Sequence, residues 1–362
     1  MIVFAHLLND RSGSPKVLCA VISSLTKLGD GSRLFVGTDG AGCLSEIDLE
    51  VNRYWYRHTP YRLLTLVTYF FSQMCLFLRL FFTRGIERDA LIYVNTLLPF
   101  GAALYGWMTG RRVVYHLHEV SISPAPLRWL LITIARLSAR DLIYVSDFHR
   151  SCLPIADVPA HTIHNALDAA FLACAESSHY QQRRDSNFTV LMLASLRDYK
   201  GIPELLALAS SLLSRTDICF ELVCNEDEAT ISRYFSGKAV FENLAIHPRT
   251  AEPETYYARA SLVLNLSRPD QCVETFGLTL LEAMAFGVPV IAPPVGGPVE
   301  IISEGVEGYL ISSYEVETIA NLIAQLADDE DKCMELSRNA KTHSQDFTPQ
   351  QFQRQVRNIL GV

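Results

Sequence analysis

Short β-branched runs and helical stretches alternate along the whole chain. MIVFAHLL, SRLFVG, ALIYVN, RRVVYHLHE and DLIYVS have the length and composition of strands, with PKVLCAVISSLTKLG and PLRWLLITIARLSAR among the helices between them. This rhythm predicts a parallel sheet covered by helices on both faces. A second series begins at FTVLMLASL and continues through ICFELVCN, NLAIHP, SLVLNLS and PVIAPP. The expected fold class is therefore α/β, with two doubly wound parallel-sheet units, as a length of 362 residues also suggests. The first unit is expected over residues 1–170 and the second over 186–345, with a C-terminal helix over 346–362 for which a return to the first unit is one option. The stretch Ala169 to Asn187, polar towards its end and without a strong period, is the expected linker. In TPQQFQRQVRNIL, Thr348 is positioned as an N-cap and Pro349 as the first helical residue.

Composition narrows the function classes. Hydrophobic residues make up 49% and charged residues 19%, which excludes a disordered chain. The formal charge of −8 is uneven: residues 1–170 hold 16 Lys/Arg against 13 Asp/Glu, and residues 171–362 hold 15 against 26. The acidic second half argues against nucleic acid as a partner, although a nucleotide ligand is compatible with it. The nine cysteines include no CxxC pair, and no zinc spacing, so reduced thiols in a cytoplasmic protein are expected. Met1 leads directly into an apolar strand without a basic n-region or cleavage site, so no signal peptide is expected.

Leu63 to Phe82, LLTLVTYFFSQMCLFLRLFF, is long enough to raise the question of a membrane span. Thr65, Thr68, Ser72 and Arg79 recur at roughly helical spacing and with Arg62 form a narrow polar stripe, which favours an amphipathic helix. A core helix and an interfacial helix both fit. The preceding RYWYRHTPYR interleaves aromatic and basic groups as membrane-surface segments do.

Several residue groups could carry chemistry. Gly13 lies in NDRSG, directly before the helix-start signal Ser14-Pro15, where backbone amides can meet an anion or a sugar hydroxyl; a plain connecting turn is the alternative. In VVYHLHEV, alternation puts His116 and His118 on one face and Glu119 on the other, with His118 at the C-terminal end of a strand, where open α/β sheets bind ligands. A satisfied polar residue is the alternative there, and no third ligand accompanies the two histidines for a metal. In LASLRDYKGIPELLALA, a strand is followed by Arg197 and Lys200 beside a helix N-terminus, which makes either a diphosphate cradle or a solvated basic turn that Asp198 partly neutralises. From Phe276 to Pro293 the single ionisable side chain is Glu282, eight positions after Glu274. An unpaired buried carboxylate is costly, so Glu282 must be exposed, paired or present for a ligand. Two carboxylates facing one crevice would suit the vicinal hydroxyls of a polyol.

The stretch from Ser267 to Leu310 resembles the donor-binding signature of family-4 retaining glycosyltransferases with the GT-B fold, of the bacterial surface-polysaccharide type. The E-x7-E spacing appears as Glu274 and Glu282, followed by GVPVI and EGYLI; SGSPKV, HLHE, SDFHRS, HNALD and LRDYKG occur in the matching order. The resemblance implies two Rossmann-like domains facing a central cleft. It implies that Glu282 holds the donor ribose, that Glu274 contacts the transferred sugar, and that Thr275, Phe276, Gly277 and Leu278 line the donor site. Arg197 and Lys200 would bind the diphosphate, His118 would sit beside the reacting sugar, and Gly13 and Ser14 would lie on the acceptor side. No cofactor or metal is implied. Two positions depart from the pattern: Ser195 stands where the family often has arginine, and RSGSP stands where it commonly has two adjacent glycines.

The resulting expectation is a metal-independent retaining transferase that moves a sugar from a nucleoside-diphosphate sugar to a glycan acceptor. The acceptor would be lipid-linked, in O-antigen or capsule assembly, with peripheral contact at the inner membrane face. The rivals are a nucleotide-sugar isomerase or epimerase of similar fold and a non-catalytic nucleotide-binding partner subunit.

Overall fold

A computed structural model of the chain describes residues 1–362 apart from 11, 26–30, 39, 41, 46 and 121. The end of the expected first helix, TKLG, and the arginine of NDRSG lie outside the described residues. The chain divides into two compact units, Met1–Ala166 with Gln350–Val362, and Leu167–Pro349.

The first unit is built on strands β1 (Ile2–His6), β2 (Arg33–Gly37), β3 (Glu50–Tyr54), β4 (Leu91–Asn95), β5 (Val113–Leu117), β6 (Asp141–Tyr144) and β7 (Ala160–Thr162). They form a seven-stranded sheet in the order β3-β2-β1-β4-β5-β6-β7. Every pairing is parallel, with Val3 facing Arg33 on one side and Ile92 on the other. The interior strands β1, β4 and β5 are apolar on both faces because both are covered. Val3, Ala5, Ile92 and Val94 pack towards the helices Arg62–Phe82, Phe100–Met108 and Ala125–Ser138. Ile2, Phe4, Leu91 and Tyr93 pack on the opposite side, towards the helix Gly13–Leu25.

The C-terminal helix Pro349–Leu360 closes that second face with Phe352, Val356 and Leu360, spaced four apart and all buried. Its last carbonyls, at Ile359 and Leu360, accept from the Arg112 guanidinium at 2.5 and 2.9 Å, which satisfies groups left without partners inside the helix.

The second unit contains β8 (Phe188–Ala194), β9 (Ile218–Cys224), β10 (Leu244–His247), β11 (Leu262–Leu264), β12 (Val290–Ala292) and β13 (Gly308–Leu310). They form a parallel six-stranded sheet in the order β10-β9-β8-β11-β12-β13. Both sheets reverse direction of addition beside their first strand, between β1 and β4 and between β8 and β11. In open α/β sheets ligands bind outside the C-terminal strand ends at such a switch point. The expectation of two doubly wound, Rossmann-like parallel sheets holds.

Two details differ from the sequence reading. Strands β3, β7 and β13 lie at sheet edges and carry half-exposed residues, so they lack the apolar signature that marks the interior strands. Ala169–Ser177, read as part of a linker, is a helix in the second unit, started by the Asp168 carboxylate accepting from the amides of Ala170 and Phe171.

Helix Arg62–Phe82 is also oriented against its composition. Arg62 and Arg79 are exposed, but Ser72 and Gln73 are fully buried. Thr65 and Thr68 bond back to the carbonyls of Thr59 and Arg57. Gln73 Oε1 accepts from Gly101 N, and a Cβ on Gly101 would stand 2.3 Å from Gln73 O, so this face of the helix is pressed against its neighbour. Leu76 and Leu80 are buried with Ser72 and Gln73, but nine large apolar side chains between Leu63 and Phe82 point outward.

Candidate active site

In the second unit the loops leaving β8 and β11 meet at the switch point. Gly201, at φ +86°, ends the turn that carries Lys200 and begins the helix Ile202–Ser211. A Cβ here would lie 2.2 Å from Leu266 O. Only glycine both adopts the left-handed conformation readily and lets the β8 turn approach the β11 loop this closely. Tyr199 O accepts from Arg268 N at 2.8 Å and ties the two loops together.

This approach brings Lys200 to Glu274. Lys200 Nζ lies 2.6 Å from Glu274 Oε1, which also accepts from Ser267 Oγ at 2.9 Å. Both side chains keep about a quarter of their surface exposed (23% and 25%), so the pair is partly desolvated yet reachable. Burial works to raise the Glu274 carboxyl, but the Lys200 ammonium, the Ser267 hydroxyl and the Asn265 side chain outweigh it, and the net shift is downward. Burial likewise opposes the Lys200 charge, and Glu274 more than restores it. Lys200 and Glu274 are both ionised at neutral pH.

The double glycine after β12 has a spatial role. Gly297 N donates to Glu274 O at 2.8 Å. A Cβ on Gly297 would lie 2.2 Å from Phe276 Cα, and one on Gly296 would lie 2.4 Å from Glu274 O. The glycines form a floor against which the backbone of Glu274, Thr275 and Phe276 lies flat. Phe276 is buried against Phe347, and Gly277 at φ +99° turns the chain into the helix Leu278–Ala285. The N-terminus of that helix carries its positive dipole end.

Glu282 sits on the fifth residue of the helix and is only 5% exposed. Its Oε2 accepts from Tyr257 OH at 2.7 Å. Tyr257 is locked in an aromatic cluster with Phe171 and Phe286. The lone carboxylate in the apolar run is therefore hydrogen-bonded. Nothing in its local sequence marks Tyr257 as the partner.

Arg197 is exposed at the outer edge of the turn, and its guanidinium has no ion-pair partner among the described residues. Asp198, which a solvated basic turn would use to neutralise its neighbours, is engaged elsewhere: it accepts from Tyr234 OH and lies 3.7 Å from Lys238 Nζ. Arg268, not singled out in the sequence, is held by the buried Glu204 at 2.7 Å.

The first unit gathers a second group at its own switch point. His118 follows β5, and its ring lies 4.6 Å from that of His116, on the same face. The Asn95 amide nitrogen donates to Ser14 O at 3.0 Å, which turns Asn95 Oδ1 towards His118 Nε2, also at 3.0 Å. His118 Nε2 must then carry the proton, leaving Nδ1 as an acceptor. Burial, reinforced by His116, His6 and His149, holds the His118 imidazole well below its ordinary value, so it is neutral at pH 7. His6 is lowered to about 4 and His116 to about 3, both chiefly by burial. Glu119 turns away and accepts from the amides of Leu97 and His118. Beside Asn95, Thr96 holds a positive φ of 75°, a conformation a threonine adopts only under constraint.

Gly13 is the first residue of its helix, and a Cβ there would meet nothing within 4 Å, so neither fold nor packing requires glycine. The Ser14 carbonyl is tied to Asn95. Among the described residues no group of three or more His, Cys, Asp or Glu is placed to hold a metal ion, and all nine cysteines are free thiols. Asn95 and Tyr257 escaped the sequence reading because their partners His118 and Glu282 lie 23 and 25 positions away, whereas Ser267 and Asn265 stand near Glu274 in the chain but are small polar residues without a signal of their own.

Residues 176–343 match the family model of glycosyl transferases group 1, which spans the Lys200 turn and both glutamates. D-inositol 3-phosphate glycosyltransferase 1 of Catenulispora acidiphila is 27% identical over 206 residues, covering 52% of this chain and 48% of the relative. N-acetyl-alpha-D-glucosaminyl L-malate synthase of Bacillus anthracis is 26% identical over 212 residues, covering 58% and 53%. The chain thus spans about half the length of these curated relatives. Among solved structures, Anabaena HepE in complex with UDP and glucose superposes with a TM-score of 0.77 over 99% of both chains at 21% identity. Sucrose-phosphate synthase from Thermosynechococcus elongatus gives 0.75 over 99% and 98% at 16% identity. At these identities the likeness concerns the fold, which is that of GT-B glycosyltransferase structures.

Proposed function

We propose that the protein transfers a sugar from a nucleoside-diphosphate sugar to a glycan acceptor, with retention of anomeric configuration. The observation that carries this reading is the Lys200–Glu274–Ser267 group at the C-terminal ends of β8 and β11, inside the segment that matches the glycosyl transferases group 1 model. An ammonium with donors to spare, next to the dipole end of a helix, suits the charge that develops on a departing diphosphate. Lys200 stabilises that leaving group, with Arg197 at the exposed rim of the same turn as a second cation; these charges do the work without a resident metal. Glu282, on its buried helix, accepts from the donor ribose, and Glu274 orients the transferred sugar. Thr275 to Leu278 line the donor between them. His118, neutral and with Nδ1 as acceptor, takes a hydroxyl of the reacting sugar, and the turn at Gly13 and Ser14 receives the acceptor.

The acceptor is a lipid-linked glycan, and the setting is polysaccharide assembly of the O-antigen or capsule kind, at the cytoplasmic side of the membrane. The net positive charge of residues 1–170 supports this assignment.

A thermal-shift screen of UDP, GDP, dTDP and ADP sugars tests the donor reading, because a ligand at a hundred times its Kd adds ~2.7 kcal/mol of stability. Stabilisation by one nucleotide series, with release of that nucleoside diphosphate only when a glycan acceptor is added, is the expected result. Conversion of the sugar nucleotide without acceptor would identify an isomerase, and binding without turnover a partner subunit.

A further inference from the structure

We propose that the outward face of the helix Arg62–Phe82 docks on an anionic lipid bilayer, lying in the plane of the membrane surface. Leu63, Val67, Phe70, Met74, Leu78 and Phe81 follow one another at steps of three and four residues, the period of one helical face, and are exposed by 38–81%. Phe71 and Phe82 widen the stripe, and Trp55 packs edge-on against Phe71 at 5.2 Å. A helix of this length presents the stripe over ~30 Å. Nine of the exposed large apolar side chains lie on this one helix, so the exposure is a continuous patch and not the scatter normal for a surface.

The opposite face decides the orientation. The helix is long and apolar enough to cross a membrane by length and composition. It cannot do so while its other side is built into the first unit. Tyr69, Gln73, Leu76 and Leu80 are buried there, Tyr69 OH bonds Leu98 O at 2.7 Å, and Gln73 holds Gly101. A helix anchored along one side and apolar along the other can enter a membrane only sideways, to the depth of its exposed side chains.

Charge selects the occupant. Residues 51–86 contain Arg53, Arg57, Arg62, Arg79 and Arg84 and no aspartate or glutamate. All five arginines are exposed, and they stand at both ends of the stripe. A second copy docking through the same face would set arginine against arginine, whichever way the helices ran. An anionic lipid surface meets them with opposite charge. Trp55, Trp107 and Trp129, the three tryptophans of the chain, are all exposed, the latter two on the helices that follow in the same layer. Tryptophan favours the headgroup level.

The proposal stands on the first unit alone. It supplies a surface suited to a lipid-linked acceptor, but vesicle binding and transfer to a water-soluble acceptor can fail independently. The test is flotation of the full chain with vesicles of phosphatidylcholine and phosphatidylglycerol against phosphatidylcholine alone, with tryptophan emission recorded in parallel. Binding to the anionic vesicles, a blue shift on binding, and weakening by added salt are expected, since surface attraction fades as the screening length falls from ~30 Å to ~8 Å between 0.01 and 0.15 M salt. The variant Leu78→Ser/Phe82→Ser, both positions exposed, should keep the parent melting temperature and lose about tenfold or more in vesicle affinity. Arg62→Glu/Arg79→Glu should abolish the preference for anionic lipid. No binding at low salt, or unchanged binding by the folded serine variant, would overturn the proposal. So would a concentration-dependent dimer that the serine variant dissolves, because the face would then belong to a second copy.

Discussion

Replacing Lys200 by methionine removes the ammonium while keeping most of the side-chain stem. Two effects follow. Loss of one preorganised donor to a developing negative charge typically costs ~3 kcal/mol of activation free energy, so turnover should fall by roughly two to three decades. Stability should change much less. At 2.6 Å and an effective dielectric constant of ~20 the gross attraction to Glu274 is about 6 kcal/mol. Each partner is about a quarter exposed (23% and 25%), which places the net loss between that of exposed and buried pairs, at ~1–2 kcal/mol.

The variant should also change how stability depends on pH. In the parent, the Glu274 carboxyl is depressed below its ordinary 4.5, so its contribution is present above that value and is lost as pH falls through the folded pKa. Without Lys200, burial acts with less opposition and raises the group, so the same carboxyl should favour the folded state as pH falls below its new pKa. The assays are initial rates of nucleoside diphosphate release and melting curves between pH 3 and 7, a range of about four units around the carboxylate value. Near-parental turnover by a folded Lys200→Met would refute the leaving-group role, and an unchanged acid limb would refute the electrostatic account of the pair.

Three further outcomes are expected. Gly297→Ala sets a Cβ against the Phe276 backbone at 2.2 Å; it should cost ~1–3 kcal/mol and weaken donor binding, seen by denaturant unfolding and nucleotide titration. Tyr257→Phe leaves a buried oxygen of Glu282 without its hydroxyl donor and should cost ~1–3 kcal/mol in urea unfolding; a loss within error would show that the 2.7 Å bond does not hold the carboxylate. Asn95→Leu frees His118 from its fixed tautomer, so kcat should fall and the alkaline-to-acid rate profile shift while nucleotide Kd, which the proposal assigns to residues of the second unit, stays as in the parent.

The interior of the fold was legible because it is written in local patterns. The strands β1, β4, β5 and β8 are short, apolar and fully or largely buried, and such runs alternating with helical periods admit few solutions other than doubly wound parallel sheets. The Lys200 turn and the glutamate pair at 274 and 282 were visible too, since charge is conspicuous in apolar surroundings. The edge strands were not, because a half-exposed strand such as Glu50–Tyr54 carries no apolar run. Residue order along the chain thus determined the layers and the positions where chemistry would collect. Which side chains meet was decided only in three dimensions. Lys200 reaches Glu274 across 74 positions because Gly201 lets two loops touch, and Glu282 finds Tyr257 25 positions away. The helix Arg62–Phe82 buries Ser72 and Gln73 and exposes Phe70, Phe71, Phe81 and Phe82 because Leu98 and Gly101, in the loop after β4 and the helix that follows it, offer hydrogen bonds to the opposite side. A helical period specifies two faces, but the partner that one of them meets specifies which is turned inward.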